Sequence, residues 1–232
     1  MKLSVVIPVY NEASTIEEVL DKVAAVQLNG IEKEIIVADD GSTDGSLELV
    51  QRSQWAQAEL VKVYAAPVNF GKGAAVRAGF SFATGDIVLI QDADLELNPQ
   101  EYDRLLAPIL AGECKVVYGS RFKAANKNIT QKTILANKFL TSLTNILFGG
   151  HLTDMETAYK VFQADVLKSI KLKRVGFDFE PEITAKLLKS GYKIKEVPIS
   201  YNPRTTVEGK KIGWKDGIEA IYTLFICRFF DS

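Results

Sequence analysis

The sequence predicts an α/β protein in which a mostly parallel sheet is covered by helices on both faces. Short apolar, strand-like runs alternate with helical stretches through the first half of the chain. The runs are nearly continuous in Val, Ile and Leu, as in "SVVIPV", "EIIVA" and "DIVLI", which is how strands buried on both faces read. The chain has 232 residues, 47% of them hydrophobic and 25% charged, enough for one large domain or two small ones around a sizeable core.

The elements follow in order. "KLSVVIPV" reads as a buried strand, and residues 11–26 as a helix with Ser14 as its cap and Glu17 and Glu18 favourable in the first turn. "KEIIVAD" is a second strand, followed by the turn "DGSTDG" and a helix over 46–54. "ELVKVYAA" is a third strand, 72–83 a helix, "DIVLIQ" a fourth strand, and Pro99 opens another helix at a position that tolerates proline. "CKVVYGS" is a fifth strand. The second half is less regular. "QKTILANKFLTSLTNILF" is a long amphipathic helix, and "DMETAYKVFQADVLKSI" mixes a strand-like piece with a short helix. "FEPEITAKLLKSG" is helical up to Gly191, "YKIKEVPISYNP" is extended, and "RTTVEGKKIG" is polar, basic and loop-like. The tail "WKDGIEAIYTLFICRFF" is strongly apolar.

Bulk properties narrow the class. Two cysteines, Cys114 and Cys227, indicate no disulfide framework and make a reducing compartment the default. "LSVVIPVY" is short and contains proline, so it reads as a strand and not a signal peptide, and no run reaches membrane-spanning length. The net charge of −1 hides an asymmetry: residues 1–112 hold 8 Lys/Arg against 17 Asp/Glu, and residues 113–232 hold 20 against 12. An acidic half suits a cation and a basic half an anion, although solvated faces produce the same imbalance.

The most informative stretch is "VLIQDADLELNPQEYD", where Asp92, Asp94 and Glu96 alternate directly after the fourth strand. Ligands of open parallel sheets bind beyond the carboxyl ends of the strands. Carboxylates crowded there repel and raise each other's pKa unless a cation neutralises them, and hard oxygen ligands select Mg²⁺ or Mn²⁺ together with substrate phosphates. The rivals are few. An EF-hand loop from Asp92 needs Gly at its sixth position and Glu at its twelfth, where this chain has Leu97 and Asp103. A glycosidase pair must flank its substrate from opposite sides, which alternate residues of one segment do not. A plain solvated turn remains open.

Other residues fall at the same predicted edge. Pro8, Tyr10 and Glu12 end the first strand in "VIPVYNE", and Asp39 and Asp40 follow the second. Tyr10 offers a flat surface for a base, and Asp39 an acceptor for a base or ribose. Strand-end packing, a tight turn and a helix cap explain the same residues. Gly71-x-Gly73 lies between a strand and a helix, but Val76 stands where a dinucleotide fingerprint needs its third glycine, and the unit is not the first in the chain. Lys72 either approaches phosphate or simply opens a helix.

Taken together, "VVIPVYNE", "DDGSTDGS", "NFGKGAAVRAGF", "GDIVLIQDADLELNPQE" and "VVYGSRF" resemble the successive motifs of inverting family 2 glycosyltransferases of the GT-A fold. "LTDMETAYKVF", "GFDFEPEITAKLLKSGYKIKEVPISYNPR" and "EGKKIGWKDG" resemble the polyprenyl-phosphate glycosyltransferases, the dolichol-phosphate mannose synthase group. The resemblance implies nucleotide-sugar contacts from Pro8, Tyr10, Glu12, Val37, Asp39, Asp92, Ala93, Asp94, Arg121, Arg204 and Lys210. It implies a metal, Mg²⁺ or Mn²⁺, on Asp92 and Asp94, with Glu96 where the mannose synthases commonly have glutamine. Asp92, Asp94 and Arg121 would carry catalysis, and Asp154 a positioning role near the acceptor, while the lone His151 is assigned none. The implied reaction moves a sugar, mannose or glucose, from a nucleoside diphosphate to a dolichyl or undecaprenyl phosphate with inversion. Family 2 members with another acceptor, and a silent nucleotide-sugar-binding protein, are the alternatives. The implied layout is a GT-A catalytic domain over 1–212 and an amphipathic tail over 213–232. Ile218, Ile221, Tyr222, Phe225 and Phe229 fall on one face of that tail, which suits a membrane interface, and equally burial against the domain or in a homodimer. The expected setting is the cytoplasmic face of a membrane, with a polyprenyl phosphate lipid and no nucleic acid as partner.

Overall fold

The structure is a computed structural model, and it describes residues 1–126, 129–204 and 214–231, with Trp214 described by its backbone alone. A seven-stranded sheet has the order β3-β2-β1-β4-β6-β5-β7. Its strands are β1 (Lys2–Val9), β2 (Glu32–Asp39), β3 (Val61–Ala65), β4 (Ile87–Ile90), β5 (Val116–Ser120), β6 (Lys160–Gln163) and β7 (Ile194–Pro198). All pairings are parallel except those of β6, which runs antiparallel to both β4 and β5. β5 therefore never touches β4, and the strand-like piece expected near 160 is the element that joins them.

Helices α1 (Ile16–Ala25), α2 (Ser46–Arg52), α3 (Gln54–Gln57) and α5 (Tyr102–Leu110), the last entered through a 3-10 turn at Pro99–Glu101, lie on one side of the sheet. Val19, Leu20, Val23, Val50, Leu105 and Leu106 close there over Leu3, Val5, Ile7, Ile35, Val37 and Leu89. α4 (Lys72–Phe82), α7 (Ala164–Ser169) and α8 (Phe179–Lys189) cover the other face, where Val76, Val166, Phe179, Ile183 and Leu187 meet Ile90, Val116, Tyr118 and Phe162. Gly79 lets α4 approach β1 closely, since a Cβ there would lie 2.3 Å from Val6 Cγ1. Outside α8, helices α6 (Gln131–Phe148) and α9 (Trp214–Phe229) form a further cluster through Leu140, Ala220, Leu224 and Cys227.

One detail differs from the expected elements. α1 begins at Ile16, five residues later than expected, because Asn11 turns into the left-handed region and Ser14 caps nothing; Thr15 is the flanking residue, and its hydroxyl is used elsewhere. The tail is docked on the domain. Thr223 Oγ1 donates to Asp178 at 3.1 Å, Arg174 lies over the Tyr222 ring, and Asp231 pairs with Lys173 and Lys186 at 2.5 and 2.8 Å.

Candidate active site

The carboxyl ends of β1, β2, β4, β5 and β7 share one edge of the sheet, and the reversed β6 brings its amino end, with the preceding residues 154–159, to that edge too. Gln91 fixes the backbone leaving β4. Its Oε1 accepts from the hydroxyls of Tyr102 and Tyr159 at 2.9 and 2.7 Å, and its Nε2 donates to the Asp92 carbonyl at 2.9 Å. Ala93 and Leu97 are buried, and the Ala93 carbonyl accepts from Thr15 Oγ1 at 2.7 Å. Leu95 takes a left-handed conformation, φ 62°. The acidic turn is thereby held with Asp92, Asp94 and Glu96 half-buried at the edge.

Each carboxylate has a different partner. Asp92 pairs with Lys72 Nζ at 2.8 Å, and the same ammonium lies 3.3 Å from Glu180. Burial alone would lower the Lys72 pKa, but Asp92 and Glu180 raise it, so the lysine is a fixed cation between two carboxylates. Glu96 accepts from the Tyr201 hydroxyl and the Arg204 backbone N–H, both at 2.7 Å. The Arg204 guanidinium grips Glu12 with two bonds, at 2.8 and 3.1 Å, and reaches Asp94 at 3.2 Å. Burial, then Asp92 and Glu96, push the Asp94 carboxyl up to about 7, with Arg204 opposing. The three acidic side chains thus do not converge as a cage: among the described residues no group of three or more His, Cys, Asp or Glu is arranged to hold a metal ion.

Beside this turn, β1 ends in the half-buried Pro8 and Tyr10 and the buried Glu12, whose N–H donates to Ser46 Oγ at 2.8 Å. Asp39 Oδ2 accepts from the N–H groups of Gly41 and Ser42 at 3.1 and 3.0 Å, while its buried Oδ1 has no hydrogen-bond partner. Val37 is wholly buried in the larger core cluster, so its side chain packs and does not face the edge. Asp40 is structural: it accepts from the N–H groups of Phe70 and Gly71 at 2.9 and 2.7 Å. Gly71, at φ 106°, must be glycine, because a Cβ would lie 2.4 Å from the Val175 carbonyl oxygen.

On the β5 side, Arg121 is clamped by buried Asp154, which accepts from Nε at 2.8 Å, Nη2 at 2.7 Å and the backbone N–H at 2.9 Å. Tyr201 lies under the guanidinium, 5.2 Å away. The positioning role expected of Asp154 is thus directed at Arg121. Lys210 and most of the basic segment around it lie outside the described residues, and His151 is exposed. Sequence reasoning missed Glu156 and Glu180. Lys160, fully buried, donates to the Met155 carbonyl at 3.1 Å and pairs with Glu180, and Glu156 lies within electrostatic reach of both. Nothing local distinguishes these carboxylates, and only the reversal of β6 brings Glu156 to this edge.

The family model described as glycosyl transferase family 2 matches residues 4–171. The chain belongs to that family. Its sheet and layers are those of the GT-A fold: it superposes on glucosyl-3-phosphoglycerate synthase from Mycobacterium tuberculosis, solved with Mn²⁺, uridine diphosphate and phosphoglyceric acid, with TM-score 0.75 at 23% identity, over 98% of this chain and 78% of that one. This family 2 chain is 30% identical over 218 residues to the dolichol-phosphate mannosyltransferase of Pyrococcus furiosus, covering 92% of this chain and 60% of the relative. It is 30% identical over 219 residues to the polyprenol monophosphomannose synthase of Mycolicibacterium smegmatis, covering 90% and 80%. The chain thus spans about three fifths of the first relative's length and four fifths of the second's.

Proposed function

We propose that this family 2 chain transfers a hexose, mannose or glucose, from a nucleoside diphosphate to a polyprenyl phosphate, inverting the anomeric carbon. One observation carries the reading: an over-acidic turn at the β1/β4 switch point is neutralised by the chain's own Arg204, at the same sheet edge as an Asp39 oxygen that makes no hydrogen bond. The switch point of an open sheet is where nucleotides bind. The names of two relatives, a dolichol-phosphate mannosyltransferase and a polyprenol monophosphomannose synthase, support a polyprenyl phosphate as acceptor.

The donor set fits a hard divalent cation, Mg²⁺ or Mn²⁺. Burial, with Asp92 and Glu96 beside it, raises the Asp94 pKa to about 7, and a guanidinium already stands on it as a cation. Asp94, with Asp92, would hold the metal, and Glu96 would support it from Tyr201. The metal supplies charge neutralisation to the leaving diphosphate. Asp39 accepts from the base or ribose, beside the Tyr10 ring. Arg204 exchanges Glu12 for diphosphate oxygens, and Arg121, oriented by Asp154, meets an anionic phosphate. That phosphate is already ionised near neutral pH, so positioning and electrostatics do the catalysis and no strong base is needed.

The membrane side rests on α6 and α9. Leu135, Phe139 and Ile146 on α6, and Ile218, Tyr222, Phe225 and Phe229 on α9, repeat at helical spacing and are exposed. No described helix is long and apolar enough to cross a membrane. The two stripes suit the cytoplasmic interface of a bilayer that carries the acceptor. Phe225→Ser/Phe229→Ser abolishes flotation with anionic vesicles; a switch from dimer to monomer instead assigns the stripes to a homodimer. The decisive assay offers a panel of nucleotide sugars with a short polyprenyl phosphate and Mn²⁺. Turnover that Asp94→Ala eliminates, without loss of the cooperative melt, supports the reading; metal-dependent turnover persisting in that variant refutes it.

A further inference from the structure

Buried polar atoms without partners are rare in folded proteins, and each asks for an explanation. Among the described residues, those that make no hydrogen bond are Asp39 Oδ1, Arg77 Nε, Glu156 Oε1, Thr157 Oγ1, Glu180 Oε1 and Arg204 Nε, Glu180 Oε1 having only the Lys72 ammonium 3.3 Å away. Asp39 and Arg204 belong to the nucleotide end of the edge. Glu156, Thr157 and Glu180 gather around one lysine: Lys160 bonds the Thr157 carbonyl and the Glu180 carboxylate, and Glu156 is coupled electrostatically to Lys160 and Glu180. Other buried carboxylates are saturated. Asp154 takes three bonds from Arg121, and Glu182 takes the N–H groups of Lys173 and Arg174 together with Lys186.

This patch adjoins the acidic turn through a single ammonium, since Lys72 lies 2.8 Å from Asp92 and 3.3 Å from Glu180. A diphosphate anchored at Asp92 and Asp94 carries its sugar one glycosidic oxygen further on. The sugar presents several hydroxyls that must replace their bonds to water. Carboxylate oxygens accept hydroxyl hydrogens, and a threonine hydroxyl both donates and accepts. Resting on the glycosyltransferase reading, we infer that Glu156, Thr157 and Glu180 form the subsite that reads the donor's sugar hydroxyls, and that it takes a neutral hexose. Lys72 and Lys160 are already engaged, so an acidic sugar would bring a carboxylate against Glu156 and Glu180 with neither cation free to receive it.

The test uses Glu156→Gln and Thr157→Val in the full chain with Mn²⁺. Calorimetry measures affinity for UDP and GDP and for their glucose and mannose conjugates, and turnover compares UDP-glucose with UDP-glucuronate. Glu156 Oε1 and Thr157 Oγ1 make no hydrogen bond that the substitutions would break, and Glu156 faces Glu180 and Asp154 as well as Lys160 and Arg121, so both variants should melt within a few degrees of wild type, whereas a structural role would lower the melting temperature further. Expected are nucleoside diphosphate affinities within about twofold of wild type, a roughly tenfold or greater loss for the sugar conjugate, and a narrowed preference for the neutral sugar in Glu156→Gln. Equal losses for diphosphate and conjugate, no loss for either, or a wild type that accepts the uronate as readily as the hexose overturns the inference alone. A wild type that binds no nucleotide sugar overturns the functional reading and this inference with it.

Discussion

Replacing Arg204 by methionine separates two roles that one guanidinium plays. In the structure it stands on Glu12 and Asp94, with Nη2 3.2 Å from Asp94 Oδ2, where a divalent cation would compete with it. Unit charges about 4 Å apart at an effective dielectric near 20 attract by about 4 kcal/mol. The guanidinium charge is delocalised and shared with Glu12, and the groups retain some solvent contact, so about 1.4 kcal/mol is the share that opposes a metal at Asp94. Mn²⁺ alone should therefore bind Arg204→Met roughly tenfold more tightly than wild type. With nucleoside diphosphate present the order should reverse, because the variant lacks the donor that moves onto the phosphates. Titration calorimetry with Mn²⁺, with and without UDP or GDP, reads both arms. Unchanged or weaker binding of Mn²⁺ alone would show that Arg204 and the metal do not share Asp94, and the competition argument would fail.

Three further outcomes follow from the geometry. Asp154→Asn leaves the buried Arg121 guanidinium without its counter-charge and should cost about 3 kcal/mol of stability, read by denaturant titration. Gly71→Ala should cost about 2 kcal/mol or more, since it combines a disfavoured φ of 106° with a 2.4 Å clash; an unchanged melting temperature would show that the turn can move. Asp94, raised from 3.8 to about 7, holds an extra proton in the folded state between those values. Its contribution to stability therefore falls as pH rises through that window, and Asp94→Asn should flatten the melting-temperature profile between pH 5 and 7, while Mn²⁺ affinity in wild type climbs as the proton leaves.

The strands were legible because a parallel sheet buried on both faces needs unbroken Val/Ile/Leu runs, and β1, β2 and β4 have them. The acidic turn was legible because three alternate carboxylates after such a run have no local reason to be there. The start of α1 was not, since Thr15 spends its hydroxyl on the Ala93 carbonyl, a partner 78 residues away. Lys72 read as a phosphate ligand or a helix start; it does open α4, and its ammonium sits between Asp92 and Glu180, a placement that only the packing of α4 against α8 makes. The place of β6 was hidden most deeply: four residues carry too little pattern to announce that they pair backwards between two strands distant in sequence.

That backward strand has a consequence for dissecting the molecule. Among the described strands, β5 and β7 join the pairing of the first four through Lys160–Gln163. A fragment cut before residue 154 would expose the rims of β4 and β5, which invite aggregation. It would also lose Asp154, the anchor of Arg121, so the first four strands cannot be isolated by truncation with their sheet edge intact, and a chimera must exchange everything from Asp154 onward as one block.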